Sequence, residues 1–204
     1  MIPTARWRRP VAAAMLYVLL TAAVLAGLLR PFDRAVADAL RTFGADHPTL
    51  IGAVRILTDV AATEPFLAVG LTLGAILWVR RKRPAAHLTL AATALVPILW
   101  SLSHRLMTHT RPPDAFIHLT SNGFPSGHTS NAAALALLAG LLLRRSWVWV
   151  LAAAFALFVG MTRLLLLAHY PSQVLGGFLL ATAVVLVLFR AICDRGKIRS
   201  ARSS

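Results

Sequence analysis

The chain is poor in acids, in lysine and in cysteine. Of its 204 residues, 7 are Asp or Glu, 2 of the 21 basic residues are Lys, and Cys193 is the one thiol. A lone cysteine excludes an internal disulfide and a metal site built on thiolates. The few carboxylates are not clustered, so nothing suggests the oxygen-rich ligand sets of divalent cations. No metal or other cofactor is expected. Charged residues of both signs make up only 14% of the chain, against about 25% in an ordinary soluble domain.

Apolar residues take the place of the missing charge. They make up 58% of the chain, and the mean hydropathy is +0.71. That composition belongs to an integral membrane protein. Apolar runs occur at 11–29, 60–79, 85–102, 126–143, 147–168 and 174–189. Each approaches the roughly 20 residues that a membrane-crossing helix needs, the fourth and sixth being short. A formal net charge of +14 would point to nucleic acid in a soluble protein, but here position matters more than sum. With the N-terminus inside, the inner segments hold 14 basic residues and one acid, Asp194, while the outer ones hold 7 and 6. The positive-inside rule then predicts an all-α polytopic protein with six transmembrane helices and both termini cytoplasmic. One domain over 1–204 suffices, with a basic flank at 1–10 and a frayed basic tail at 190–204. No nucleic-acid partner is expected. The first run is too long for a signal-peptide core, and Asp33 and Arg34 precede the nearest small residues, so the first span is expected to remain.

The outer segment from about 30 to 63 predicts short amphipathic helices. Phe32, Val36, Ala39, Leu40 and Phe43 share helical spacing, with Asp33 placed to cap the first helix. A second starts near Pro48 and carries Leu50, Val54 and Leu57. The five tryptophans lie near span ends, as interfacial anchors do. His87 is expected to be structural, and His47 and His118 to be solvated. His109, two residues from Arg111, is a candidate for a supporting position.

Three polar patches remain, and the topology puts all of them at the outer face: "HRLMTHTRPPD" from His104, "PSGHTS" from Pro125, and "TRLLLLAHYPSQ" from Thr162. Arg163 lies roughly 7–8 Å inside the end of its span at 1.5 Å per residue, where a guanidinium should face a polar cavity. Pro-Ser-Gly before an apolar run is a sound helix start. Ser126 can cap, Gly127 lets backbone approach a ligand, and the free N–H groups form an anion site. Arg111 and Arg163 would add fork-shaped donors suited to phosphate oxygens. With His128 and His169 beside that anion, one imidazole can attack phosphorus and the other can protonate the departing oxygen.

These residues resemble the signature of the type-2 phosphatidic acid phosphatase superfamily, which includes bacterial lipid phosphatases and vanadium haloperoxidases. Its pattern runs Lys-x6-Arg-Pro, then Pro-Ser-Gly-His, then Ser-Arg-x5-His-x3-Asp. Here Pro125-Ser126-Gly127-His128 is intact, Arg111-Pro112 keeps the first element, and Arg163 with His169 keeps the third. The likeness spans about residues 11–190. It implies that His169 is the nucleophile forming a phosphohistidine and His128 the general acid. It also implies that Arg111, Arg163, Ser126 and Gly127 hold the phosphoryl oxygens. Three positions depart: His104 stands for the Lys, Thr162 for the Ser and Gln173 for the Asp. Gln173 can accept the nucleophile's hydrogen bond but can also flip and donate; Asp114 is a candidate to supply the missing carboxylate. The expected function is a metal-independent lipid phosphatase of the cell (inner) membrane. It would cleave a lipid phosphate or pyrophosphate at the periplasmic or exterior side, with membrane lipids as its surroundings. A phosphotransferase, or a weakened member that binds or moves anionic lipids, would carry the same residues. The sequence does not indicate an oligomeric state.

Overall fold

The computed structural model describes residues 7–119 and 122–201, with side chains through Ile192. Its helices are α1 (Arg8–Leu25), α2 (Arg30–Asp46), α3 (Pro48–Leu57), α4 (Thr63–Val79), α5 (Arg83–Leu106), α6 (Gly127–Leu143), α7 (Ser146–Leu165) and α8 (Pro171–Ala201). A 3-10 turn over Thr58–Ala61 joins α3 to α4, and no strand occurs among the described residues. Five segments are long and apolar enough to cross a membrane; α6, at 17 residues, is a shorter apolar helix. The final run is longer than its hydropathy suggests. Ser172 and Gln173 belong to α8, whose apolar part extends over Pro171–Ile192. Over 190–201 the basic tail does not fray but continues α8, since Arg, Ala, Ile and Lys hold helix and no proline interrupts them; 202–204 lie outside the described residues.

The bundle is built around α6. Small side chains line it, with Ala132, Ala133, Ala134 and Leu138 buried, and α4, α5, α7 and α8 pack against it. Outward faces of α1 (Met15, Leu16, Val18, Leu19) and α7 (Val150, Leu151, Leu157, Phe158) stay exposed and apolar, which is stable only in lipid. Small residues let backbones approach, as helices in membranes require. A Cβ added to Gly70 or Gly74 of α4 would come within 2.1 Å of Thr93 or 2.3 Å of Leu90 on α5.

The amphipathic pair before α4 forms as its spacing predicts, but its inner face differs. On α2 the buried line is Asp33, Ala37 and Gly44, while Phe32 and Phe43 face away from the bundle. On α3, Ile51 and Val54 turn inward, whereas Leu50 and Leu57 are exposed. Asp33 does not cap its own helix: Leu29 is the cap residue and makes no side-chain bond. Instead the Asp33 carboxylate accepts from the Ser172 N–H at 3.0 Å and from its hydroxyl at 2.5 Å. A buried carboxylate thus satisfies free donors at the start of α8 and pins the surface helix to it.

Candidate active site

The Pro-Ser-Gly-His segment is held from several sides. Ser126 caps α6, its Oγ accepting from the Thr129 hydroxyl at 2.9 Å and the Thr129 N–H at 3.4 Å. The first helical bond runs from Ser130 N–H to the Ser126 carbonyl, so the amides of Gly127 and His128 precede the ladder. The Ser126 amide itself donates to the Gln173 carbonyl at 3.0 Å. His104 donates from Nε2 to the Pro125 carbonyl at 2.8 Å, and Trp100 lies beneath Gly127, where an added Cβ would meet its ring at 3.1 Å. Trp100 is therefore a floor for the loop. Gly176 and Gly177 of α8 make the close packing possible: a Cβ on Gly177 would sit 2.7 Å from the Ser126 carbonyl oxygen.

Two guanidiniums enter the same region. Arg163 is 2% exposed and donates from Nη1 to the Thr58 hydroxyl at 2.8 Å; its Nε is buried with no hydrogen-bond partner among the described residues. It faces the interior, not the headgroups. Arg111 crosses from the loop after α5, donating from Nη1 to the Ala168 carbonyl at 2.7 Å and from Nη2 to the Asn122 carbonyl at 2.9 Å. Burial lowers its pKa to about 10, which leaves it cationic at neutral pH. Arg111 Nη1 also stands 2.9 Å from His169 Nε2.

The protonation of His169 follows from its neighbours. Its Nδ1 lies 2.9 Å from the Gly123 carbonyl and 3.1 Å from Gln173 Oε1. A carbonyl only accepts, so Nδ1 carries the proton and Nε2 keeps its lone pair toward Arg111. The 3.4 Å approach of Arg111 to Nδ1 is then a by-product of the ring's position. Burial, followed by the Arg111 and Arg163 cations, pushes the His169 pKa well below its ordinary value, so the ring is neutral. Gln173 has no exposed surface; its Oε1 also accepts from the Tyr170 N–H at 3.1 Å. Its Nε2 donates to the Thr110 carbonyl and to His109 Nδ1, each at 2.8 Å. Backbone groups of fixed polarity at both ends therefore favour this amide orientation over the flipped one, and His109 adds a contact at the Thr110 end.

The structure brings Arg111, Arg163, Gly127, His128, His169 and Gln173 to one place, with His128 within electrostatic reach of His169. It puts the side chains of Ser126 and His104 on the protein's own groups, Thr129 and the Pro125 carbonyl. Asp114 does not supply the missing carboxylate: it is exposed and lies 3.9 Å from Arg41. Three contributors carry no signal in the sequence. Thr58 holds Arg163 from 105 residues away. Asp59 stands 3.7 Å from His128 Nε2, beyond hydrogen-bond reach, and that Nε2 is buried without a partner among the described residues. Gly123 gives His169 its carbonyl, and its own missing side chain leaves room for Gln173, whose Nε2 an added Cβ would meet at 2.3 Å.

The chain is similar to known membrane proteins over most of its length. Phosphatidylglycerophosphatase B of Bacillus subtilis (strain 168) is 27% identical over 180 residues, covering 83% of this chain and 88% of that protein. The crystal structure of a transmembrane PAP2-type phosphatidylglycerolphosphate phosphatase from Bacillus subtilis superposes with a TM-score of 0.76 at 26% identity. That match covers 93% of this chain and 96% of the other. The PAP2 superfamily profile matches residues 7–197, and with that extent the chain belongs to the PAP2 superfamily, as a multi-pass membrane protein of its phosphatase branch.

Proposed function

We propose that this single-domain protein hydrolyses a lipid phosphate or pyrophosphate monoester through a phosphohistidine. The carrying observation is the state of His169: neutral, protonated on Nδ1 against the Gly123 carbonyl, with the Nε2 lone pair toward a guanidinium. A phosphoryl oxygen arriving between Arg111 and Arg163 would take N–H donors from both, along with the free amides at the start of α6. His169 Nε2 attacks phosphorus as the bond to the lipid oxygen breaks, and that oxygen takes a proton from His128. His128 enters the step as imidazolium, held by the bound phosphate dianion and by Asp59 at 3.7 Å. Water then attacks the phosphohistidine, returning a proton to His128 and releasing phosphate. Charge developing on the phosphoryl oxygens meets donors already in place.

The names of the relatives favour phosphatidylglycerophosphate as substrate. The charge distribution favours six spans with both termini in the cytoplasm and the centre facing the exterior of the cell membrane. Purified protein in detergent, assayed for phosphate release, tests the reading. The panel is phosphatidylglycerophosphate, phosphatidic acid, undecaprenyl pyrophosphate and lipid A phosphates. Release from the first is expected to exceed the others, and His169→Ala should lower it about a thousandfold or more. Undiminished release in that variant overturns the mechanism.

A further inference from the structure

We propose that His109 is a positioning residue: by accepting at Nδ1 from Gln173 Nε2 (2.8 Å), it holds the amide so that His169 stays protonated on Nδ1 and bare on Nε2. The inference rests on the phosphohistidine reading and names the device that stands where the family carries a carboxylate.

The amide of Gln173 has two orientations. In the observed one, Oε1 accepts from the His169 and Tyr170 N–H groups, while Nε2 donates to the Thr110 carbonyl and His109. Flipped, the amide N–H would face the Tyr170 N–H and His169 Nδ1, and the oxygen would oppose the Thr110 carbonyl. His169 Nδ1 would then face an amide N–H beside the Gly123 carbonyl, which weakens its hold on the proton, and a ring that moves that proton to Nε2 has no lone pair there to attack with. Gln173 is fully buried, so water cannot stand in for a lost partner, and the fourth contact is set by the state of His109. A neutral His109 accepts at Nδ1 and favours the productive form. One protonated there opposes the amide N–H and favours the flip.

His109 is placed to respond. It borders a polar cavity of about 280 Å³, shared with Arg30, Asp33 and Arg34 of α2 and with Thr108, Thr110 and Tyr170. The rings of Phe124 and Tyr170 stand edge-on to it at 6.4 Å. Burial lowers its pKa, Asp33 opposes that shift and Arg30 adds to it, so the ring is neutral at pH 7. The route from solvent to nucleophile is then cavity, His109, Gln173, His169.

The test compares His109→Leu, which removes the acceptor, with His109→Asn, whose Oδ1 can take the place of Nδ1. Full-length protein in detergent carries 15N-labelled histidine, and the signal missing from His169→Ala identifies His169. Wild type should show a protonated Nδ1 and a bare Nε2. His109→Leu should populate the Nε2-protonated form and lower kcat about tenfold, as one lost buried hydrogen bond does, with KM changed less than about threefold. His109→Asn should recover most of both, and its activity should lose the acid-side fall that protonating His109 causes. An unchanged His169 tautomer in His109→Leu, or an Asn variant no better than Leu, overturns the proposal. Phosphate release persisting in His169→Ala sinks the phosphohistidine reading instead, and leaves the tautomer measurement to judge the hydrogen-bond chain by itself.

Discussion

Gln173 is where residue-level chemistry departs most from the family pattern. A carboxylate at this position would accept from His169 and balance any positive charge that the imidazole gains. An amide does the first only, and does it here because the Thr110 carbonyl, the Tyr170 N–H and His109 together select its orientation. The surroundings are built for a donor. Gln173→Asp would put a buried carboxylate against two acceptors, the Thr110 carbonyl and His109 Nδ1, and shorten the side chain by one carbon. Leaving buried acceptors unpaired costs about 1–3 kcal/mol, or about tenfold to a hundredfold. We expect kcat to fall by that range in Gln173→Asp, measured on the best substrate of the lipid panel. A rate gain would show that the amide is a defect tolerated by the site.

The helices deliver these side chains by close approach. Gly177 on α8 faces the Ser126 carbonyl and the Ser130 amide, both backbone, so an added methyl has nothing flexible to push aside. Gly177→Ala should therefore separate α8 from the start of α6, moving Gln173 and His169 away from the Pro-Ser-Gly-His loop. Overpacking of this kind costs about 1–3 kcal/mol. The expected outcome is a clear drop in thermal stability in detergent together with loss of phosphate release. Gly52→Ala is the control, because nothing lies within 4 Å of that position, and it should change neither. The Asp33–Ser172 contact works at the same scale, tying the surface helix α2 to the N-terminus of the helix that carries Gln173.

For the whole molecule, the testable statement is orientation. The site lies at the end of the bundle where α5 finishes, α6 starts and the α7–α8 loop turns. If that end faces outward, Thr42 on α2 and Ser146 at the start of α7 lie on opposite sides of the membrane, and both are exposed. A Cys193→Ser background allows one cysteine at a time. A membrane-impermeant maleimide added to intact cells should label Thr42→Cys and spare Ser146→Cys until the membrane is opened. The reverse pattern would place the phosphatase centre inside the cell.

Periodicity and hydropathy in the sequence determined that the chain is helical and membrane-embedded, roughly where its apolar helices lie, and that α2 and α3 precede α4. They could do so because burial in lipid acts on runs of residues, and runs are visible locally. The intact tetrapeptide and the Arg–His spacing likewise pointed to residues that the structure brings together, since a helix start with free N–H groups is written in consecutive residues. Inner faces were less legible. Phe32, Leu50 and Leu57 satisfy helical spacing yet point away from the bundle, because in lipid an apolar side chain gains nothing by choosing the interior. What only the tertiary structure decided is the wiring between distant residues. Thr58 meets Arg163, Asp33 meets Ser172, and His109 meets Gln173. Those partners are chosen by buried donors and acceptors that must be satisfied across helices, and no spacing along one strand of sequence records that requirement.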